Sequence, residues 1–146
     1  MKKAFSVFLC ISSFVFTGWE HDFEAAKKQA KEEHKLILLN FSGSDWCVPC
    51  MQMQKNIFES PDFNKVADDQ LILLKADFPR NKKNQPSPAV KKQSEWLADK
   101  YNPDGKFPYT LLLDSDGKII KYWDGLPPVN GSKFAQEIKK AADASK

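Results

Sequence analysis

Two cysteines separated by two residues, placed just after a short apolar run, constrain this chain more than any other feature. Residues 36–41 form the run. A polar stretch of four residues follows, and then the motif Trp46-Cys47-Val48-Pro49-Cys50. A short, mainly apolar run predicts a strand buried on both faces. Because the residues after the run have helical spacing, we expect the motif to lie where a strand gives way to a helix.

The positions of the two thiols suit reversible disulfide chemistry. Cys47 in the first helical turn would have its sulfur near unpaired backbone N–H groups and the positive end of the helix dipole, which favour the thiolate. Cys50 lies one turn further on the same face, within reach of any mixed disulfide that Cys47 forms. The only other cysteine of the 146 residues is Cys10, in a segment that we expect to be removed. The pair is therefore predicted to be a working dithiol rather than a structural staple.

The first residues are typical of an export signal. Lys2 and Lys3 precede an uncharged, mostly apolar stretch that ends at Gly18. This stretch is shorter than the roughly 20 residues that a transmembrane helix needs. We expect a signal peptide over residues 1–18 and a mature domain over residues 19–146, in the periplasm or secreted. Bulky residues precede Cys10, which argues against a lipid anchor there.

The length and charge of the mature chain limit its function. About 125 residues suit one domain with one core. The whole chain has a formal net charge of +3, which is nearly neutral once Lys2 and Lys3 are removed, so we expect no nucleic-acid partner. Residues 78–93 are rich in Pro, Lys and Asn and predict an exposed basic loop. Its lysines, at positions 82, 83, 91 and 92, either form a partner-docking patch or are simply solvated.

The remaining pattern predicts an α/β domain. We expect helices over residues 22–35, from residue 46, over 60–66, over 94–101 and from 131, and strands over 36–41, 71–77, 109–114 and 118–123. Two signals are specific: Ser60-Pro61 suits a helix start, and Ser115-Asp116-Gly117 suits a hairpin turn. The prediction is a central mixed sheet with an antiparallel edge hairpin, helices on both faces and no second domain.

These features resemble the thioredoxin superfamily. The likeness is carried by the motif at residues 46–50, by Phe107-Pro108-Tyr109-Thr110 and by Gly125, and it covers essentially the whole mature chain. The chain is most similar to exported thioredoxin-like proteins, including the C-terminal domain of the periplasmic thiol:disulfide interchange proteins. The resemblance implies a thioredoxin fold and a protein-disulfide oxidoreductase, either a reductase or an isomerase, with no cofactor. Its implied partners are exported proteins with disulfides and a membrane or periplasmic dithiol that donates electrons.

The resemblance also implies roles for the motif residues. Cys47 would attack a substrate disulfide, and Cys50 would then resolve the mixed disulfide. Val48 and Pro49 complete the motif. Because the motif keeps the proline of the reducing thioredoxins and has no histidine between its cysteines, we favour a reductase.

A second element of the resemblance is the expected substrate-binding surface. In the family, the proline that matches Pro108 has a cis peptide bond and lies beside the cysteines. A cis bond is rare and locally rigid. A substrate would dock as an extended peptide against the backbone of Phe107 and Tyr109, with Trp46 shaping the surface.

Asn40 departs from the family pattern. Thioredoxins have a buried acid on the strand before the motif, which helps to shuttle the proton of the second cysteine. Allowing one extra residue in the following loop, the matching residue here is Asn40, and an amide cannot exchange protons. We therefore expect deprotonation of Cys50 to rely on water or another group, and mixed disulfides to be resolved slowly near neutral pH.

Two other functions fit the sequence. The motif cysteines could hold copper(I) or zinc in a metal carrier, although only Met51 and Met53 lie nearby and no third ligand has an obvious position, so we assign no metal ligands. Alternatively, the fold could be a non-catalytic binding module that uses the basic loop. Stoichiometric metal binding by the reduced protein would favour the carrier, and full function of a double Cys-to-Ala variant would favour the module.

Overall fold

The computed structural model describes residues 18–145, so Cys10 and nearly all of the expected signal peptide lie outside the described residues. The helices are α1 (Phe23–Glu33), α2 (Val48–Met53), α3 (Pro61–Gln70), α4 (Pro88–Tyr101) and α5 (Gly131–Ala144). The strands are β1 (Leu36–Ser42), β2 (Leu71–Asp77), β3 (Tyr109–Leu113) and β4 (Ile119–Asp124). No helix within the described range is long and apolar enough to span a bilayer.

The four strands form one mixed sheet in the order β2-β1-β3-β4. β1 is parallel to β2 and antiparallel to β3, and β3 and β4 form the antiparallel hairpin at the edge. The predicted fold class is therefore confirmed. β1 is buried along nearly its whole length, as expected for a central strand. β2 lies at the other edge, and alternate residues along it are only partly buried.

Helices cover both faces of the sheet because each face is apolar. One face packs against α1 and α4 through residues such as Leu39, Phe23 and Leu97. The opposite face packs against α2, α3 and α5, and we call it the motif face. Its core includes Phe63 and Phe134, both fully buried. Burial of one such side chain is worth about 1.5–3 kcal/mol.

The helices begin where side chains cap them, and one cap corrects a prediction. Ser60 accepts a hydrogen bond from Phe63 N ahead of Pro61 and starts α3 as predicted. Ser87 does the same for Val90 N, with Pro88 in the first helical turn. α4 therefore begins at Pro88, and the prediction of a loop up to residue 93 was wrong. The same Ser-Pro signal is present at both helix starts. Serine is a favoured N-cap residue, and proline is well tolerated in the first helical turn.

The motif helix also differs from its prediction. Trp46 lies in the turn before the helix rather than in it, and Cys47 is the N-cap residue. After α2, one wide π turn, Gln54–Phe58, leads towards α3. Cys50, Met53 and Ile57 are buried at helical spacing, as predicted.

Candidate active site

Cys47 and Cys50 are joined by a disulfide bond at the start of α2. Their Cα atoms are 5.2 Å apart, because the N-cap position and the third residue of α2 lie one turn from each other. Cys47 Sγ also accepts a hydrogen bond from Cys50 N at 3.3 Å. Both residues are largely covered, with 5% and 4% of their surface exposed. The pair is therefore closed in its oxidised state, with the Cys47 sulfur at the amino end of the helix.

The loop that leads into the motif is shaped by close packing of Trp46 on Gly43. A Cβ atom on Gly43 would overlap the Trp46 indole ring, so no other residue fits there without displacing the indole. Gly43 O also accepts hydrogen bonds from Trp46 N at 3.2 Å and Cys47 N at 2.9 Å. Gly43 was not singled out from the sequence. The available signal was a glycine between a buried strand and the motif.

Three aromatic rings and a cis proline lie together beside the motif. The Phe107 ring is 5.5 Å from the Trp46 ring and 5.5 Å from the Phe78 ring, measured between centroids. Trp46 Nε1 donates to Phe78 O at 2.7 Å. The peptide bond between Phe107 and Pro108 is cis, as the resemblance implies. The structure thus brings together Trp46, Phe107 and Pro108 from the predicted substrate-binding set.

The Tyr109 side chain packs against the same core cluster as the Phe107 side chain. The Tyr109 ring stacks with Phe41 at 6.3 Å and packs against the core that contacts α1 and α4. This is the face opposite α2, so the Tyr109 side chain does not share a face with the disulfide. Burial raises the pKa of its hydroxyl group. Its backbone lies inside the sheet, paired with Phe41 and Asp124.

The backbone next to the cis bond is partly open. Pro108 O accepts a hydrogen bond from Gly125 N at 2.9 Å, and Gly125 has φ 78°, where glycine is favoured. Phe107 N and O have no hydrogen-bond partner within residues 18–145. Of the backbone groups predicted to receive a substrate, those of Phe107 are therefore the ones left unpaired.

A row of polar side chains crosses the motif face beneath α2. Asn40 is paired in register with Lys75 on one side and Thr110 on the other, and we call these three residues the polar row. Asn40 Nδ2 donates to Thr110 Oγ1 at 3.0 Å, and that hydroxyl lies 3.8 Å from Met53 Sδ in α2. Asn40 and Thr110 are both buried. Asn40, which we expect at the position of the family's acid, is thus hydrogen-bonded within the sheet.

Lys75 was not identified from the sequence, yet it shares a groove with the second cysteine. The groove has a volume of about 380 Å³ and is lined by Cys50 and Lys75 among others. Lys75 Nζ donates to Gln54 Oε1 at 2.8 Å and lies 4.3 Å from the centre of the Trp19 ring. Burial lowers the pKa of Lys75, while the nearby charges of Asp77 and Glu59 oppose that shift. The ionisable group contributed by the sheet beside Cys50 is thus an amine.

The carboxylate of Asp45, the residue directly before Trp46, accepts three hydrogen bonds. It accepts from Arg80 N and Asn81 N, each at 2.9 Å, and from Asn84 Nδ2 at 3.0 Å. The bond from Arg80 N is the largest of the effects that lower the pKa of Asp45. These bonds fasten residues 80–84 to the motif loop, a contact between segments more than 30 residues apart that spacing alone does not reveal.

The remaining motif residues and Met51, which directly follows the motif, lie in α2. Val48 and Met51 are exposed, with 59% and 42% of their surface accessible, and Pro49 lies in the first turn of α2. In residues 18–145, no three side chains of His, Cys, Asp or Glu are grouped so that they could hold a metal ion.

Comparison with known sequences identifies thioredoxin-like relatives. A family model described as thioredoxin-like matches residues 18–115. The disulfide bond reductase DsbH of Chlamydia pneumoniae is 35% identical over 123 residues, which cover 84% of this chain and 71% of that protein. The thioredoxin-related protein DsbJ of the same organism is 28% identical over 102 residues, covering 70% of this chain but only 28% of that protein.

Solved structures agree with these sequence matches. A structure of DsbH oxidoreductase superimposes with a TM-score of 0.78 at 30% identity, covering 86% of this chain and 84% of the other. The oxidised C-terminal domain of Neisseria meningitidis DsbD superimposes with a TM-score of 0.54 at 22% identity, covering 80% of this chain and 90% of that domain. The second likeness concerns the fold alone.

Proposed function

The chain belongs to the thioredoxin-like family and is a protein-disulfide oxidoreductase, and on that premise we propose that it acts as a reductase of exported proteins. The observation that carries the proposal is the Cys47–Cys50 disulfide at the start of α2. A dithiol that closes into a disulfide within one helical turn can donate two electrons, and the resulting disulfide can accept two electrons when it is reduced again.

The first step of the proposed cycle uses the reduced protein. The Cys47 thiolate attacks one sulfur of a substrate disulfide, a bond forms between the two sulfurs, and the other substrate sulfur leaves as a thiolate. The location of Cys47 at the N-cap supports this role, because the N–H groups of the first turn stabilise a negative sulfur. The unpaired backbone groups of Phe107 would hold the substrate as an extended segment.

The second step releases the substrate. Cys50 loses its proton and attacks Cys47 Sγ, which forms the intramolecular disulfide and frees the second substrate sulfur as a thiolate. Two electrons have then passed to the substrate, and each substrate thiolate takes up one proton. A partner dithiol in the membrane or periplasm restores the reduced pair by the same exchange in reverse.

Two observations support reduction as the physiological direction. The relative at 35% identity is named a disulfide bond reductase. Pro49 precedes Cys50 and no histidine lies between the cysteines, so one common means of stabilising the thiolate and making a strong oxidant is absent. Export rests on the sequence of residues 1–18, and it would make disulfide-bearing exported proteins the substrates.

A redox titration of the mature protein tests the direction. The protein is equilibrated in thiol buffers, and the state of Cys47 and Cys50 is read by alkylation mass shift. We expect a potential near that of thioredoxin, roughly −270 mV. A potential above roughly −180 mV would instead indicate an isomerase or oxidase, and absence of the disulfide at every buffer potential would refute the redox function.

Single-cysteine variants test the order of attack. Cys50→Ser should accumulate a mixed disulfide with a protein substrate, because the resolving thiol is missing, whereas Cys47→Ser should accumulate none. Mass spectrometry of the non-reduced protein distinguishes the two. The reverse pattern would assign the attack to Cys50.

A further inference from the structure

Residues 80–84 stand beside the motif rather than away from it. The Asp45 carboxylate accepts three hydrogen bonds from this segment, two of them from backbone N–H groups. Asp45 is two residues from Cys47, so these bonds fix the segment against the motif loop. Part of the predicted basic loop therefore borders the active site in the fold, and we call residues 80–84 the wall.

The first cation of the wall lies on the aromatic group next to the cysteine. The Arg80 guanidinium carbon is 3.9 Å from the centre of the Trp46 ring, which is within the range of a favourable cation–π contact. The Trp46 ring is also held by Phe107 and by Phe78 O. Arg80 is thus kept over the surface on which a substrate would lie.

The charge of the wall is unbalanced. Arg80, Lys82 and Lys83 are all exposed, and none of them pairs with a carboxylate within residues 18–145. Residues 78–93 contain no Asp or Glu. Asp45 offsets one charge, and its oxygens are already occupied. The wall therefore retains positive charge next to the loop that leads into the motif.

We propose that this wall selects disulfides whose cysteine is flanked by acidic side chains. The inference rests on the proposed function and adds a substrate class to it. Exposed charges of opposite sign raise the rate of encounter and hold the register of a bound peptide. Dissolved salt screens the attraction between these exposed charges, so the preference for acidic peptides weakens as the ionic strength rises.

The experiment measures single-turnover reduction by the fully reduced, mature protein. Three synthetic peptides carry the same internal disulfide and apolar residues, with Glu, Gln or Lys at the flanking positions. The rate of disulfide exchange is read by rapid acid quench and alkylation, so no electron donor is needed. We expect the Glu peptide to react about three- to thirtyfold faster than the Gln peptide, and the Lys peptide to react slowest.

Charge variants assign that preference to the wall. Lys82→Gln/Lys83→Gln leaves the Arg80 contact intact and should remove most of the preference, and Lys82→Glu/Lys83→Glu should favour the Lys peptide. Lys133→Gln/Lys140→Gln makes the same charge change on α5 and should behave as wild type. The rate with the Gln peptide should stay close to wild type in the α5 variant, and the ratio of the Glu-peptide rate to the Gln-peptide rate measures the preference in every variant.

The outcomes separate this inference from the function on which it rests. If no peptide is reduced, the oxidoreductase function fails. If all three are reduced at equal rates, or if the α5 control loses the preference equally, the wall is not a selective surface. Binding to vesicles of anionic phospholipid that depends on Lys82 and Lys83, with no peptide preference, would overturn the proposal in favour of a membrane contact.

Discussion

Two neighbouring rows of residues cross the motif face of the sheet, and they are built for different purposes. In the apolar row, Leu38 is paired in register with Leu73 and Leu112, and Leu38 and Leu112 are fully buried. Two residues further along β1 lies the polar row, with Asn40 between Lys75 and Thr110. The side chains of the apolar row are stabilised by burial alone. Each side chain of the polar row needs a hydrogen-bond partner, because burying an unpaired polar group costs free energy.

The comparison leads to the prediction that the apolar row contributes to stability and the polar row to disulfide exchange. Side chains two residues apart on a strand point to the same side, so both rows lie under the helices of the motif face. Both rows pack near Met53, but only the polar row contributes a residue, Lys75, to the groove of Cys50. Substitutions in the two rows should therefore separate an effect on unfolding from an effect on disulfide exchange.

The largest expected effect is on stability, from Leu38→Ala. The lost burial and the cavity should lower the free energy of unfolding by about 2–5 kcal/mol, with no change in the reduction potential. Urea unfolding and redox titration measure the two quantities, and Leu38→Met is the control that keeps the volume. A shift of the potential by more than about 30 mV would show that the two rows are not independent.

Thr110→Val should cost less. It removes the hydroxyl that accepts from Asn40 Nδ2 and leaves a buried donor without that acceptor, at a cost of about 1–3 kcal/mol. Thr110→Ser keeps the hydroxyl and should lose less than Thr110→Val. Urea unfolding of both variants checks this order. A larger loss in Thr110→Ser than in Thr110→Val would mean that the methyl group, and not the hydrogen bond, stabilises the row.

Asn40→Asp should change the chemistry more than the fold. A carboxylate can take the proton of Cys50, so turnover near neutral pH should rise, by roughly tenfold. Burial should raise the pKa of the new carboxyl group. The folded state then holds a proton that the unfolded state has lost, so stability should fall as pH rises from about 4 to the raised pKa. Asn40→Ala is the control without a proton acceptor, and an unchanged turnover of Asn40→Asp would remove the idea that Asn40 limits resolution.

The smallest expected effect comes from Lys75→Met. Because burial lowers the pKa of Lys75, the unfolded chain binds more protons between that lowered pKa and about 10.4. Wild-type stability should therefore rise with pH across that window. Lys75→Met should be more stable at pH 7 by about 1 kcal/mol or less, and its advantage should shrink at pH 10.

Urea unfolding at the two pH values tests this prediction, with Lys75→Arg as the variant that keeps the charge without titrating. A loss of stability in Lys75→Met at pH 7 would contradict it. Such a loss would mean that the bond to Gln54 and the contact with Trp19 outweigh the cost of burying the amine.

Sequence patterns predicted most of the elements but not all of their limits. The strand starting at Leu36 and the Ser60 cap followed from local spacing and composition. The start of α4 was missed because the polar composition of residues 78–93 was given more weight than the Ser87-Pro88 cap. Trp46 was placed in the helix because its spacing to Cys50 fits one, but the packing of its indole on Gly43 holds it in the preceding turn.

Some features of the candidate site were likewise predicted from the sequence, and others were missed. The disulfide pair followed from local spacing, and the cis bond at Pro108 from the resemblance, and the structure contains both. The reactive roles of Cys47 and Cys50 and the substrate-binding role of Trp46 stay predictions. Lys75 was missed because nothing in its neighbourhood along the chain relates it to Cys50, 25 positions earlier.

The sequence by itself determined the dithiol, its location at a strand-to-helix junction and the α/β class, because each depends on residues within one or two turns of one another. Only the tertiary structure decided that Asn40 meets Thr110, 70 residues away, and that Asp45 fastens residues 80–84 to the motif. Those contacts depend on the register of distant strands and on loop packing.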